Sequence, residues 1–332
     1  MKNDKFRSHF LSYFRNGQLS KTDKLLSRIS PRFVYKKNAS VISDMYKHLE
    51  PAANEFSPRD ISIENYTGSN PVAKKISAFL EEKAKRQLVG TYVHGSIGTS
   101  EEIPYSDFDG LVIIKNSCFQ NPTDLFFLLL ALKETEQMMK EMDPLQHHGW
   151  FVMNEADLEN YPEHYFPHEL FMHAKCLFGN TRLKIGLRTS GYRQEFEHSF
   201  QHLTGSIQRK LQSKSFLENY YVLKNLLSEF MLLPAIYHQA KTGNGIFKKF
   251  SFDMLEKEAG EKGLVMKKIS AIRNSWNYTP TEQFSRLNIF AGSSAAKADS
   301  GSIATELKNK FDDEMIGLMN DLVNDLKSNL QS

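Results

Sequence analysis

Cysteine is scarce: Cys118 and Cys176 are the two in 332 residues. Two cannot make a disulfide framework, and neither stands in a Cys-x-x-Cys metal spacing, so a reduced, cytoplasmic chain is expected. A surplus of one charge is missing as well. The 42 basic and 39 acidic residues leave a net charge of +3, which gives no global footprint for a long nucleic acid, and none is expected as partner. Long apolar runs are absent. The most apolar, "LFFLLLAL" at 125–132, is far too short for a bilayer, and the basic N-terminus "MKNDKFRSHFLSYFRNG" lacks the apolar centre of a signal peptide, so no membrane partner is expected. Internal repeats are not evident. The P-loop pattern Gly-x-x-x-x-Gly-Lys-Ser/Thr does not occur, and Gly95-Ser-Ile-Gly98 lacks the third glycine of a dinucleotide fingerprint. The "DFDG" at 107–110 has no His-Arg-Asp loop before it, and Leu111, Val112 and Ile113 stand where an EF-hand needs oxygen ligands.

What remains is an ordinary globular composition, 40% hydrophobic and 24% charged, in a chain long enough for two domains. Residues 1–70 read as a helical N-terminal extension that closes in a polar stretch, "SPRDISIENYTGSNP". From Pro71, Val72, Ile76, Phe79 and Leu80 recur at helical spacing. "VGTYVHG" and "FDGLVII" read as strands with nearly continuous apolar ends. A buried-faced helix follows to Met142, with Thr123 or Asp124 as its cap. "HHGWFVM" at 147–153 and "HAKCLFG" at 173–179 read as further strands. Residues 71–188 are therefore expected to form the core. Residues 189–332 read as a C-terminal helical domain, with a long pattern interrupted at Pro234, a helix over 247–263 and another over 306–330. "AGSSAAKADSGS" at 291–302 reads as a linker or disordered loop. The expected fold class is α+β: a mixed sheet core with flanking helices, then a helical domain.

One stretch, "GSIGTSEEIPYSDFDGLVII" at 95–114, carries chemistry. On a strand, Asp107 and Asp109 share one face, about 7 Å apart along the chain. Two such carboxylates repel unless a cation lies between them, and oxygen-only ligation suits Mg²⁺ or Mn²⁺. Gly95 and Ser96, at the end of the preceding strand, offer open backbone N–H groups and a hydroxyl to a phosphate.

Val93-His94-Gly95-Ser96, a ten-residue spacer, then Asp107-Phe108-Asp109 in an apolar strand resembles the signature of the DNA polymerase β-like nucleotidyltransferase superfamily. The Gly-Ser-x-Gly turn and the Tyr-Ser-Asp approach to the acids are similar to its minimal and antibiotic-modifying branches. The motif covers about 20 residues and the compatible order of elements about 110. The resemblance implies a nucleotidyltransferase-type sheet core. Gly95 and Ser96 would hold the triphosphate, and Asp107 and Asp109 would bind Mg²⁺ or Mn²⁺. The reaction would move a nucleoside monophosphate from a nucleoside triphosphate, with ATP the expected one, to a hydroxyl of a small molecule or protein, releasing pyrophosphate. A lysine of the helical domain, Lys249 ahead of Lys248 and Lys224, would contact the triphosphate.

The family's third acid has no counterpart inside 147–153. His148, with His147 beside it, is the leading replacement, as a base near neutral pH. Alternatively Glu155 reaches in from the strand end, or the site binds nucleotide without turning it over, as a regulatory module. A helical scaffold with a coincidental motif is a third reading. Tyr220 and Tyr221 are candidates to stack on a base but fit a helical core better. His164, His168 and His173 have spacings of a helical metal site, which Pro167 argues against.

Overall fold

A strand made almost wholly of apolar residues is stable only when both of its faces are covered. The computed structural model gives "LVGTYV" and "GLVII" such positions, with every residue of both strands buried. The structure describes Phe6, Phe10 and residues 31–48, 55–279 and 300–331. The described chain falls into two units. One gathers the described residues up to Glu101 with Asp107–Pro162 and Phe171–Ser190; the other gathers Glu102–Ser106, Glu163–Leu170 and the described residues from Gly191 on.

In the first unit the chain runs α1 (Pro31–Lys47), β1 (Phe56–Ser62), β2 (Glu64–Asn65), α2 (Pro71–Ala84), β3 (Leu88–Val93), α3 (Gly95–Thr99) and β4 (Gly110–Ile114). It continues through α4 (Asn116–Gln120), α5 (Pro122–Met142), β5 (Phe151–Asn154), α6 (Glu155–Glu159), β6 (Lys175–Gly179) and β7 (Arg182–Arg188). The sheet is mixed, ordered β2-β6-β3-β4-β5: β3 lies antiparallel to both β4 and β6, while β4–β5 and β2–β6 are parallel. The separate ribbon β1–β7 is antiparallel. One core joins Ile42 of α1, Ile76 and Leu80 of α2, Leu125, Leu129 and Leu132 of α5, and Val112 and Val152 of the sheet. Fully burying each such side chain is worth about 1.5–3 kcal/mol.

The local chemistry explains the boundaries. Asn70 caps α2, its Oδ1 accepting from the Val72 and Ala73 amides at 3.0 Å each, with Pro71 in the first turn. The cap of α5 is Asn121, two residues before Thr123 and three before Asp124. Its Oδ1 accepts from Thr123 N at 3.0 Å, because Pro122 already has a helical φ and needs no amide partner. The polar stretch after residue 56 contains β1 and β2. Its residues expose most of their side chains, so it carries no apolar pattern.

The second unit consists of α7 (Arg193–Ser213), α8 (Tyr220–Thr242), α9 (Lys248–Ala259), α10 (Leu264–Asn274), α11 (Thr305–Lys308) and α12 (Asp313–Gln331) among the described residues. Phe196, Phe200 and Ile207 of α7 and Leu223, Leu227 and Phe230 of α8 are fully buried or nearly so. Pro234 does not interrupt α8. Buried residues on both sides of it carry the helix through, against a local cost of about 3 kcal/mol. The helix expected over 306–330 is broken instead, and Asp312 Oδ1 accepts from Met315 N at 2.8 Å to start α12. The expected linker lies outside the described residues up to 299. No helix among the described residues is long and apolar enough to cross a membrane. The fold class is α+β, with a mixed sheet core, flanking helices and a helical C-terminal region.

Candidate functional site

Asp107, Phe108 and Asp109 lie just before β4 rather than inside it, because β3 ends its ladder at Val93 paired with Gly110. The chain then turns at Gly95, and one more rung, His94 N to Asp109 O at 2.9 Å, fixes the acid segment beside the turn. The alternation expected of a strand still holds. Phe108 is wholly buried and packs edge-on against Trp150, with ring centroids 5.7 Å apart. The Trp150 Nε1–H in turn donates to Thr135 Oγ1 at 2.9 Å. With Phe108 anchored in the core, its two neighbours converge on one imidazole.

Gln146 holds that segment as a neighbouring strand would. Its Oε1 accepts from Phe108 N at 2.9 Å, and its Nε2 donates to Phe108 O at 3.0 Å and to His148 O at 2.9 Å. One buried amide therefore ties the backbone between the two acids to the backbone of the histidine facing them.

Gly95 has φ +62°, a conformation that costs a side chain about 1–2 kcal/mol. A Cβ there would also stand 3.1 Å from Asp109 Cγ and closer still to Oδ2. The turn and the second acid fit together only because residue 95 has no side chain. Ser96 follows in α3, whose turn is closed by Thr99 Oγ1 donating to Gly95 O at 3.2 Å.

His148 Nε2 is 3.0 Å from Asp107 Oδ2 and 3.3 Å from Asp109 Oδ1. Its pKa is pushed up to about 9. Burial works against the charged ring, but the hydrogen bond to Asp107 and the charges of Asp107 and Asp109 outweigh it. His147 Nδ1 lies 3.9 Å from the same Asp107 oxygen, and its ring stands edge-on to His148 at 4.9 Å. Phe151 lies against both His148 and His94, with centroids 6.2 and 5.6 Å away. Asp107, Asp109 and His148 keep 19%, 21% and 22% of their side-chain surface, sheltered enough for strong coupling yet open to a solute.

These residues fit a divalent cation. Two carboxylates beside one imidazole favour a positive charge there, and Asp107 with His147 and His148 brings three ligand atoms within 4.8 Å of one another. Gly95 leaves the space that the Asp109 carboxylate occupies beside them.

The remaining candidates fall elsewhere. In the parallel register of β4 and β5, Leu111 faces Phe151 and Ile114 faces Asn154. Glu155 therefore stands at the far end of β5 from His148, where its Oε2 accepts from Asn116 N at 3.1 Å. In the helical unit, Lys249 is exposed in the first turn of α9 beside Lys248. Lys224 is buried and donates to Tyr105 O at 2.8 Å. Tyr220 is half-buried and packs on Trp276 and Tyr278. His168 pairs with Glu163 and Glu169. Gln146 was not legible as a site residue: its partner is a backbone 38 residues away.

No family model matches the chain, and no curated protein matches it. Among solved structures it is similar to the crystal structure of spectinomycin adenyltransferase AAD(9) from Enterococcus faecialis with ATP and spectinomycin. The identity is 14%, the match covers 80% of this chain and 100% of that chain, and the TM-score is 0.41. ATP and spectinomycin belong to that protein, and a likeness at this TM-score assigns nothing to this one.

Proposed function

We propose that the chain is a metal-dependent nucleotidyltransferase. It would move a nucleoside monophosphate from a nucleoside triphosphate, ATP in the first instance, to a hydroxyl of a small molecule or protein, with release of pyrophosphate. The observation that carries this reading is the fit of the Gly95 turn against Asp109, where a Cβ would strike the carboxylate. A phosphate-binding turn and a cation-binding acid pair are useful to each other only at such a distance.

In this reading Asp107 and Asp109 hold Mg²⁺ or Mn²⁺, and His148 takes the third acid's place. A cation so held supplies positive charge to the phosphate oxygens and to the leaving pyrophosphate. Gly95 and Ser96 receive the phosphates. Phe108 and Gln146 keep the two acids aimed at one point, so that little reorganisation is needed during the reaction. A bond forms between the acceptor oxygen and the α-phosphorus as the α–β bridging bond breaks, and the hydroxyl proton goes to water. A triphosphate contact by Lys249 rests on the family resemblance alone.

The test is incubation of the full chain with labelled triphosphates, Mg²⁺ and a panel of hydroxyl acceptors. Pyrophosphate release should fall on the order of 10³-fold or more in Asp107→Ala and Asp109→Ala. One observation favours a second reading, a module that binds nucleotide without turnover: β5 carries no carboxylate. Metal-dependent nucleotide binding with no release of pyrophosphate across the panel would establish the module and remove the enzyme.

A further inference from the structure

We propose that Asp107, His147 and His148 form a mixed nitrogen–oxygen cation site that takes a first-row transition ion, of the Co²⁺ or Zn²⁺ kind, in preference to Mg²⁺. The inference rests on the reading that the two acids hold a divalent cation and goes on to say which chemical class of cation. One ligand atom each from Asp107, His147 and His148 lies within 4.8 Å of the others, with Asp107 Oδ2 3.0 Å from His148 Nε2. A carboxylate and two ring nitrogens so gathered suit a positive centre among them, either a proton or a metal ion.

Three features suit the metal. Metal–ligand bonds of about 2.1 Å at right angles put neighbouring donor atoms about 3.0 Å apart, close to the spacing here. The other ring nitrogen, Nδ1, lies 3.3 Å from Gly149 O. With its proton on Nδ1 and directed at that carbonyl, the imidazole has Nε2 left for a metal. The ring is also placed in advance, because Gln146 Nε2 donates both to His148 O and to Phe108 O. His147 Nδ1, 3.9 Å from Asp107 Oδ2, adds a second imidazole within reach. Mg²⁺ favours oxygen ligands and retains its water, whereas imidazole ligation suits the transition ions. Replacing a family carboxylate by His148 therefore changes the preferred ion as well as removing an acid.

The experiment uses the full chain stripped of metal, titrated separately with Co²⁺ alone and Mg²⁺ alone, with proton NMR of the Co²⁺ form. Most sites favour Co²⁺ over Mg²⁺, so the diagnostic quantities are the imidazole signal and the change on substitution. The wild-type chain should give a strongly shifted, exchangeable imidazole N–H resonance, absent in both His148→Gln and Asp107→Asn. His148→Gln should weaken Co²⁺ binding on the order of tenfold or more and leave Mg²⁺ binding within about twofold. Co²⁺ binding with no shifted imidazole resonance in the wild type would overturn the inference without reference to any variant. If Mg²⁺ binding in that case still depended on Asp107, the proposed function would survive the loss. No binding of either ion would remove both.

Discussion

Among the described residues, two histidines each sit between two carboxylates, and they are built for different work. In the helical unit, Glu163 offers both oxygens to His168 Nδ1 at 2.9 Å and also accepts His168 N at 2.9 Å. Glu169 lies 3.2 Å from Nε2. All three residues come from one short segment, with His168 and Glu169 opening a 3-10 turn, and a Cβ on Gly245 would press on Pro167 and Glu163 at 2.7 and 2.9 Å. In the sheet unit, His148 meets acids 41 and 39 residues before it, held by a buried phenylalanine, a glutamine clamp and a glycine turn. The local set satisfies its own backbone, as a loop staple does. The distant set spends three further residues on aiming two carboxylates at one point. Histidine–carboxylate pairing is thus no signature of a site by itself; what separates the two is how much surrounding structure is committed to the geometry.

The sharpest way to break that contrast is at Gly95. Gly95→Ala puts a side chain at φ +62° and into Asp109. Turnover should fall on the order of 10²-fold in the labelled-triphosphate assay while circular dichroism stays native, since a small misplacement near the reacting groups costs that much. Gly191, also at positive φ but with nothing within 4 Å of a Cβ, is the control: Gly191→Ala pays backbone strain alone and keeps its activity. Equal losses in the two variants would mean that strain, and not the acid, explains Gly95.

A second contrast is in pH. His148 has its folded pKa raised to about 9 above an unfolded value of about 6.5. The stability it contributes is therefore fully present below about pH 6.5 and is lost as pH rises through about 9. With divalent ions removed by a chelator, urea denaturation should show at most about 3 kcal/mol of loss across that window, and His148→Gln should remove the slope. A wild-type profile no steeper than the variant's would show that the ring is not held between two ionised acids.

How much of this was legible in the sequence follows from what each residue answers to. The acid pair and the turn are local patterns, so the polar–apolar–polar alternation around Phe108 and the glycine before it could be read directly. The boundaries of β4 and β5 could not, since they depend on where the partner ladder ends. Ribbon β1–β7 escaped because its first strand exposes nearly every residue and includes Pro58, both contrary to strand signals. Pro234 misled for the opposite reason: tertiary burial along α8 overrides a local breaker. Gln146 was invisible in principle. Its donors and acceptor match the peptide group of Phe108, and only the fold brings that peptide to it.

Gln146 should then behave as a positioning residue. Gln146→Ala leaves the Phe108 peptide without its buried partners and should lower kcat about 10- to 100-fold, in the range of supporting residues around a metal site, with little change in KM for the triphosphate. A KM effect alone would assign it to substrate binding instead.

Glu163 closes the comparison with the smallest effect. Glu163→Gln keeps the shape and one acceptor for His168 N but removes the charge facing Nδ1. The loss should be about 1–3 kcal/mol, the range for a hydrogen bond to a charged group, read as a lower midpoint in thermal or denaturant unfolding. Pyrophosphate release per folded molecule should stay within about twofold, because the carboxylate's partners in its own loop account for its position. A variant that unfolds normally and yet loses most of its turnover would make this second histidine pair functional, and the distinction between staple and site would have to be redrawn.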